Sequence, residues 1–339
     1  MARHLGDESA RPEVALRSRL TLYASQRPRA ASQPLSLNPT KRRLALSFFR
    51  ISLAVATLGL ALPAVAGDSP FGYVYTTDTH PKGKREIEQW ITRRHGQARG
   101  DYDLWQGRTE VEYGITDRLQ SALYLNYDSV SAFRNRPDDT TGPGAFVPDD
   151  VDPGARYRRS FVESLSSEWI YRLLSPYKDP IGLALYVEPT WGPDKREFEG
   201  KLIVQKNFLD DRLVWAANLT AAAEKERFHG EWEREGELEL TSGLAYQFAP
   251  RWHAGAEYRH HRGYEGRGFS GAKRVYAANF FGPSVHYSGR DWWITATFLA
   301  QLANAKAYND AAREDIIAGR FYGEHHERQE LRLRLGLSF

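Results

Sequence analysis

From about residue 84 onward, apolar positions recur at every second residue. In Thr109–Ile115, Thr109, Val111, Tyr113 and Ile115 share one face and Glu110 and Glu112 the other. In Gly182–Trp191, Leu183, Leu185 and Val187 oppose Gly182, Ala184, Tyr186 and Glu188. In Glu197–Phe208, Phe198, Leu202, Val204 and Phe208 oppose Glu197, Glu199, Lys201 and Gln205. In Gly236–Phe248, Leu238, Leu240, Leu244, Tyr246 and Phe248 oppose Glu237, Glu239, Thr241 and Gln247. A period of two is the signature of a strand with two unlike faces.

The pattern predicts an all-β fold of about twelve strands, near 84–94, 102–116, 118–130, 160–175, 180–191, 195–209, 211–224, 235–249, 251–262, 272–288, 291–303 and 326–339. Most exceed the about 9–11 residues with which a tilted strand crosses a bilayer. They also exceed the roughly 5–6 residues typical of soluble sheets. The connections alternate. Short turns are expected at Thr116-Asp117, Ser175–Pro180, Leu209–Arg212, Ala249–Arg251 and Ser288–Asp291, and longer polar loops at Ser129–Arg159, Glu224–Arg234, His261–Gly271 and Asn304–His326. Gly192–Lys195 is a tight exception. Short turns on one rim and long loops on the other predict a transmembrane antiparallel β-barrel with short periplasmic turns and longer extracellular loops. A periplasmic sandwich or lipocalin-like barrel would also alternate, with its apolar face inside; strand length and loop asymmetry favour the membrane form.

Orientation gives the charges a place. A Lys or Arg facing lipid near the bilayer midplane costs about 2–4 kcal/mol, so the polar face must line the lumen. The predicted pore-lining residues are Glu86, Glu88, Arg108, Glu110, Glu112, Glu168, Arg172, Glu188, Glu197, Glu199, Lys201, Glu237, Glu239, Glu257, Arg259, Arg332 and Arg334. Carboxylates outnumber cations in this set, which favours cations as solutes. Closure is expected to set Arg332 and Arg334 against Glu86 and Glu88. Aromatics near strand ends, Tyr73, Tyr75, Trp105, Tyr127, Trp169, Tyr171, Trp191, Trp215, Trp252, Tyr287 and Trp292 among them, are expected to form interfacial girdles.

Composition refines this picture. The chain of 339 residues has no Cys, which excludes disulfides and thiolate metal sites. Its net charge of +3 comes from the N-terminus: ten of the 46 Lys/Arg and three of the 43 Asp/Glu fall in 1–66, leaving 36 basic and 40 acidic residues in 67–339. No basic excess remains to attract nucleic acid. Within 41–66, Lys41-Arg42-Arg43 precede the apolar run Ile51–Leu62, and Ala64-Val65-Ala66 supply small residues. This predicts an export signal cleaved before Gly67, with Ala64 and Ala66 as the recognised positions. Residues 1–40 are polar and aperiodic and read as a disordered leader or a misassigned start. The barrel is then 67–339, exported through the periplasm to the bacterial outer membrane.

The last residues, Leu331-Arg-Leu-Arg-Leu-Gly-Leu-Ser-Phe339, resemble the terminal strand of Gram-negative outer-membrane proteins. The resemblance implies that Leu331, Leu333, Leu335, Leu337 and Phe339 form the signal read by the barrel-assembly machinery, with outer-membrane lipid as the surrounding partner. Residues 72–94, with Pro81–Lys84 ("PKGK") followed by Glu86, Glu88 and Trp90, resemble the opening of an uncharacterised, porin- or transporter-like family of proteobacterial outer-membrane barrels. That resemblance implies a fold and a location without an activity.

Candidates for chemistry are sparse. None of His95, His229, His253, His260, His261, His286, His325 and His326 lies in a nucleophile motif, and an outer-membrane hydrolase is the least favoured class. His260-His261 and His325-His326 lack a third metal ligand and read as rim residues. The five-Asp stretch 138–154 lacks calcium-loop spacing, and 263–271 follows no βα unit that would cradle a phosphate. No cofactor, resident metal or catalytic activity is expected. The expected role is passive passage of small solutes or ions, with a structural or surface-interaction barrel as the alternative.

Overall fold

A computed structural model describes residues 69–142, 146–148, 150–228, 231–266, 268–323 and 326–339. The expected leader and export signal, with Ala64, Ala66 and Gly67, lie outside these residues, as do His229 and His325. Twelve long strands follow the sequence pattern: β1 (Arg85–His95), β2 (Asp101–Thr116), β3 (Leu119–Phe133), β4 (Tyr157–Leu174), β5 (Gly182–Trp191), β6 (Lys195–Phe208), β7 (Leu213–Phe228), β8 (Glu231–Ala249), β9 (Trp252–Glu265), β10 (Arg274–Ser288), β11 (Trp292–Gln301) and β12 (Gln329–Ser338). Each pairs antiparallel with its sequence neighbour. β12 pairs both with β11 and with β1, so the ring closes. Closure pairs the backbone of every wall strand and leaves no edge, the condition for a sheet to stand in hydrocarbon.

One expectation fails at a hairpin. Glu224–Arg234 was expected as a polar loop, but β7 runs to Phe228 and β8 starts at Glu231. Charged side chains on both faces hide the period of two, while the backbone ladder continues through Lys225 opposite Arg234 and Glu226 opposite Glu233.

The burial is inverted relative to a soluble protein. Large apolar side chains stand exposed around the outside, including Leu123 (58%), Phe198 (56%), Leu219 (54%) and Phe281 (51%). Glu86, Glu110, Glu168 and Glu257 are almost completely buried inside. Trp105, Trp169, Tyr171, Trp191, Trp252 and Trp292 are exposed near strand ends. An exposed apolar belt of this extent requires a non-aqueous neighbour. At the long-loop end, two apolar clusters seat loops against the wall. Val147 packs with Tyr102, Leu104, Val130 and Ala132. Phe321 and Ala312, the latter in the short helix α1 (Asp310–Glu314), pack with Tyr276, Phe280 and Leu299.

Candidate functional site

The turn before β1 ties the N-terminal residues to the wall. Lys84 N–H donates to Pro81 O at 3.0 Å, and Gly83 takes φ +85° at the third position, where glycine carries no steric cost. From this turn, residues 69–82 run back through the lumen as an extended segment without a partner strand. Its backbone is satisfied by inward side chains. Glu257 on β9 accepts from the N–H groups of Gly72 (2.8 Å), Tyr73 (2.7 Å) and Val74 (3.1 Å), and from Thr297 Oγ1 (2.7 Å). The Asn218 amide accepts from Tyr75 N–H at 2.7 Å and donates to Tyr75 O at 2.9 Å. Gln205 accepts from Thr77 N–H at 2.7 Å, and Gln120 from His80 N–H at 2.8 Å. Buried backbone groups need partners, and the Glu, Asn and Gln of four different strands supply them.

This segment was not foreseen. Tyr73 and Tyr75 were expected in an interfacial girdle, but both lie in the lumen. Arg332 stands over the Tyr73 ring at 3.8 Å, and Lys201 over the Tyr75 ring at 4.2 Å. Phe71 and Val74 are fully buried with Ala216 and Ala245. Gly72 permits the close approach, since a Cβ there would meet Thr297 Oγ1 at 2.6 Å.

Beside the segment lies a cavity of about 270 Å³. Nine of the seventeen residues expected to line the lumen border it: Arg108, Glu188, Glu197, Glu199, Lys201, Glu237, Glu239, Arg259 and Arg332. Arg94, Asp128, Glu163 and Lys195 join them, so seven carboxylates face six cations across this space. The carboxylate excess that favoured cations therefore shrinks to one in the open cavity. Several of its charges are paired, with one another or with carboxylates just behind the lining. Lys195 Nζ lies 3.0 Å from Glu197 and 3.1 Å from Glu224, Lys201 Nζ lies 3.0 Å from Glu199, and Arg259 bridges Glu239 and Glu330. Tyr73, Tyr75, Trp90 and Tyr186 add ring surfaces to the lining.

The other eight do not border the cavity. Glu257 is taken up by the N-terminal segment, and Tyr75 Oη donates to Glu168 at 3.2 Å. Arg172 donates to Asp117 O at 2.5 Å, at the short-turn end. Glu86, Glu88, Glu110 and Glu112 stand together on β1 and β2. Arg334 meets Glu88 at 3.0 Å and donates to Phe71 O at 3.2 Å. Arg332 falls opposite Thr92 in the seam, not opposite a Glu, and donates to Thr92 Oγ1 at 2.9 Å and Gly72 O at 3.2 Å. On the other face of β12, Leu331, Leu333, Leu335 and Phe339 are exposed.

At the long-loop end, His261 and His326 do come together: His261 Nδ1 lies 2.9 Å from His326 Nε2, and His261 Nε2 lies 3.1 Å from Glu237. His260 points the other way and meets Asn279 at 2.6 Å, as expected for adjacent residues of a strand.

Known proteins place this fold. The outer-membrane channel COG4313 from Pseudomonas putida F1 superimposes with a TM-score of 0.53 at 12% identity, over 81% of this chain and 100% of that one. The NanC porin gives 0.44 at 11% identity over 75% of this chain and 98% of its own, and the KdgM porin 0.41 at 10% over 75% and 99%. The likeness is one of fold: a closed twelve-stranded barrel of the outer-membrane channel type. No curated protein matches significantly. Residues 63–339 match one family model, and the chain accordingly belongs to DUF6662, a family of unknown function.

Proposed function

We propose that this chain is an outer-membrane barrel that passes small polar solutes or ions, and that residues 69–84 regulate that passage from the periplasmic end. The observation that carries this is how the segment is held. It crosses the lumen on side-chain hydrogen bonds from Glu257, Asn218, Gln205 and Gln120. Such contacts release without breaking the wall, whose strands pair with one another all round the ring. The cavity beside the segment presents charges of both signs in near balance, which suits small polar or zwitterionic solutes better than one sign of ion.

The exposed leucines of β12 and Phe339 fit recognition by barrel-assembly machinery, and residues 41–66 fit an export signal preceding the barrel. The seating of the segment also supports a second reading, a barrel that stays shut and acts through its loops at 134–156 and 302–328. Planar-bilayer recording of the purified protein and of Glu257→Ala separates the two. The pore reading expects small or intermittent conductance in the wild type and larger, steadier conductance in the variant. Silence from both, with both folded, would leave only the second reading.

A further inference from the structure

The register of β1 and β2 sets Glu86 directly opposite Glu112 and Glu88 directly opposite Glu110. Like charges facing each other across strands repel, and here two such pairs are adjacent and all four carboxylates are buried. Carboxylate oxygens of Glu88, Glu110 and Glu112 lie within 4.8 Å of one another, and so do His80 Nε2 and oxygens of Glu86 and Glu112. Partners within the protein cover part of this charge. Arg334 pairs with Glu88, Trp90 Nε1 donates to Glu88 at 2.6 Å, Trp293 Nε1 donates to Glu86 at 2.8 Å, Gln120 Nε2 donates to Glu112 at 2.7 Å, and His80 Nε2 lies 2.6 Å from Glu112, a contact the ion would replace. Glu110 Oε2 is left buried without any hydrogen-bond partner, inside the cluster. A buried carboxylate without a partner is costly, and either protons or a shared cation would relieve several of them together.

We propose that this cluster binds a divalent metal ion, with Glu112 as the central ligand, His80 and Glu86 on one side, and Glu88 and Glu110 on the other. One imidazole nitrogen among carboxylate oxygens suits zinc or manganese rather than the all-oxygen shell of calcium. His80 belongs to the N-terminal segment, while the carboxylates belong to the wall. The ion would fasten the last residues of that segment to β1 and β2, and it would be captured as the segment seats. The site is independent of whether the barrel conducts.

The test refolds the full chain into detergent with Zn²⁺, Mn²⁺, Ca²⁺ or chelator, desalts it, and measures retained metal and thermal stability. Heat-dependent mobility in gels certifies that each sample is folded. The wild type is expected to retain Zn²⁺ or Mn²⁺ at about one ion per chain and to melt higher than the chelator sample. Glu112→Gln and Glu110→Gln are expected to weaken retention by about tenfold or more and to lose the stabilisation. His261→Ala, at the other end of the lumen, should leave both unchanged. Retention of neither ion by folded wild type would overturn the proposal and assign protons, not a metal, to the carboxylates. So would equal retention by Glu112→Gln, loss in His261→Ala, or retention of Ca²⁺ alone.

Discussion

Glu257 Oε2 accepts the backbone N–H of Tyr73 at 2.7 Å, across 184 residues of sequence. The same carboxylate also holds the N–H groups of Gly72 and Val74, so one side chain fixes three consecutive peptides of a segment that has no partner strand. Hydrogen bonds to a charged acceptor contribute about 1.5–3 kcal/mol each. Glu257→Ala should therefore destabilise the folded barrel by at least about 2 kcal/mol in urea titrations. It should also open residues 69–80 to protease in detergent-solubilised protein. Unchanged protease resistance would mean that the remaining contacts hold the segment without Glu257.

Gly72→Ala tests the same seat sterically. Its Cβ would sit 2.6 Å from Thr297 Oγ1 and 2.8 Å from Thr297 Cβ, and a strand residue of the wall has little room to withdraw. The expected outcome is a displaced segment and a gain in conductance in the direction of Glu257→Ala, with the strand content by circular dichroism unaltered.

Arg334 and Glu88 form a buried pair at 3.0 Å across the closing seam. Removing one partner from such a pair costs about 3–5 kcal/mol. Arg334→Met should lower the urea midpoint strongly, and Arg334→Met combined with Glu88→Leu should recover much of the loss. A double variant as unstable as the single one would show that Arg334 acts chiefly through Phe71 O, to which it donates at 3.2 Å.

Just outside β12, burial pushes the Glu327 carboxyl up to about 8, against the opposing pull of Arg94. The folded state therefore holds this proton more tightly than the unfolded chain, whose value is 4.5. The resulting stabilisation is complete below the unfolded value and is lost as pH rises toward the folded one. Stability should fall across that interval in the wild type and fall less in Glu327→Gln, measured as urea midpoints at a series of pH values.

Phe339 is exposed at the end of β12. If the terminal strand is read during assembly, deleting Phe339 should reduce the folded, heat-modifiable protein in outer-membrane fractions while leaving refolding into detergent intact. Equal amounts in both fractions would remove that role.

The twelve strands were legible because each must present one face to hydrocarbon, which forces a strict alternation such as Leu238, Leu240 and Leu244 against Glu237 and Glu239. Where that demand ends, so does the signal: 225–228 and 231–234 carry charge on both faces and read as loop, although their backbone ladder continues. Residues 69–82 were illegible for another reason. Their partners are single side chains scattered over β3, β6, β7 and β9, so no local period marks the segment. Its Tyr73 and Tyr75 look like girdle residues until Asn218 and Glu257 are placed beside them. The inward Glu residues were likewise visible as a set, but their division between an open cavity and a buried cluster depends on where that segment lies.

The seam joins residues far apart in the sequence. Ser338, next to last in the chain, donates to Glu86 at the start of β1, and Arg334 reaches the carbonyl of Phe71 ahead of it. The last strand therefore closes the wall and, through the same residues, grips the segment that lies inside it. Sealing the ring and lodging its interior strap are thus one event at one seam, and a change there is felt by both.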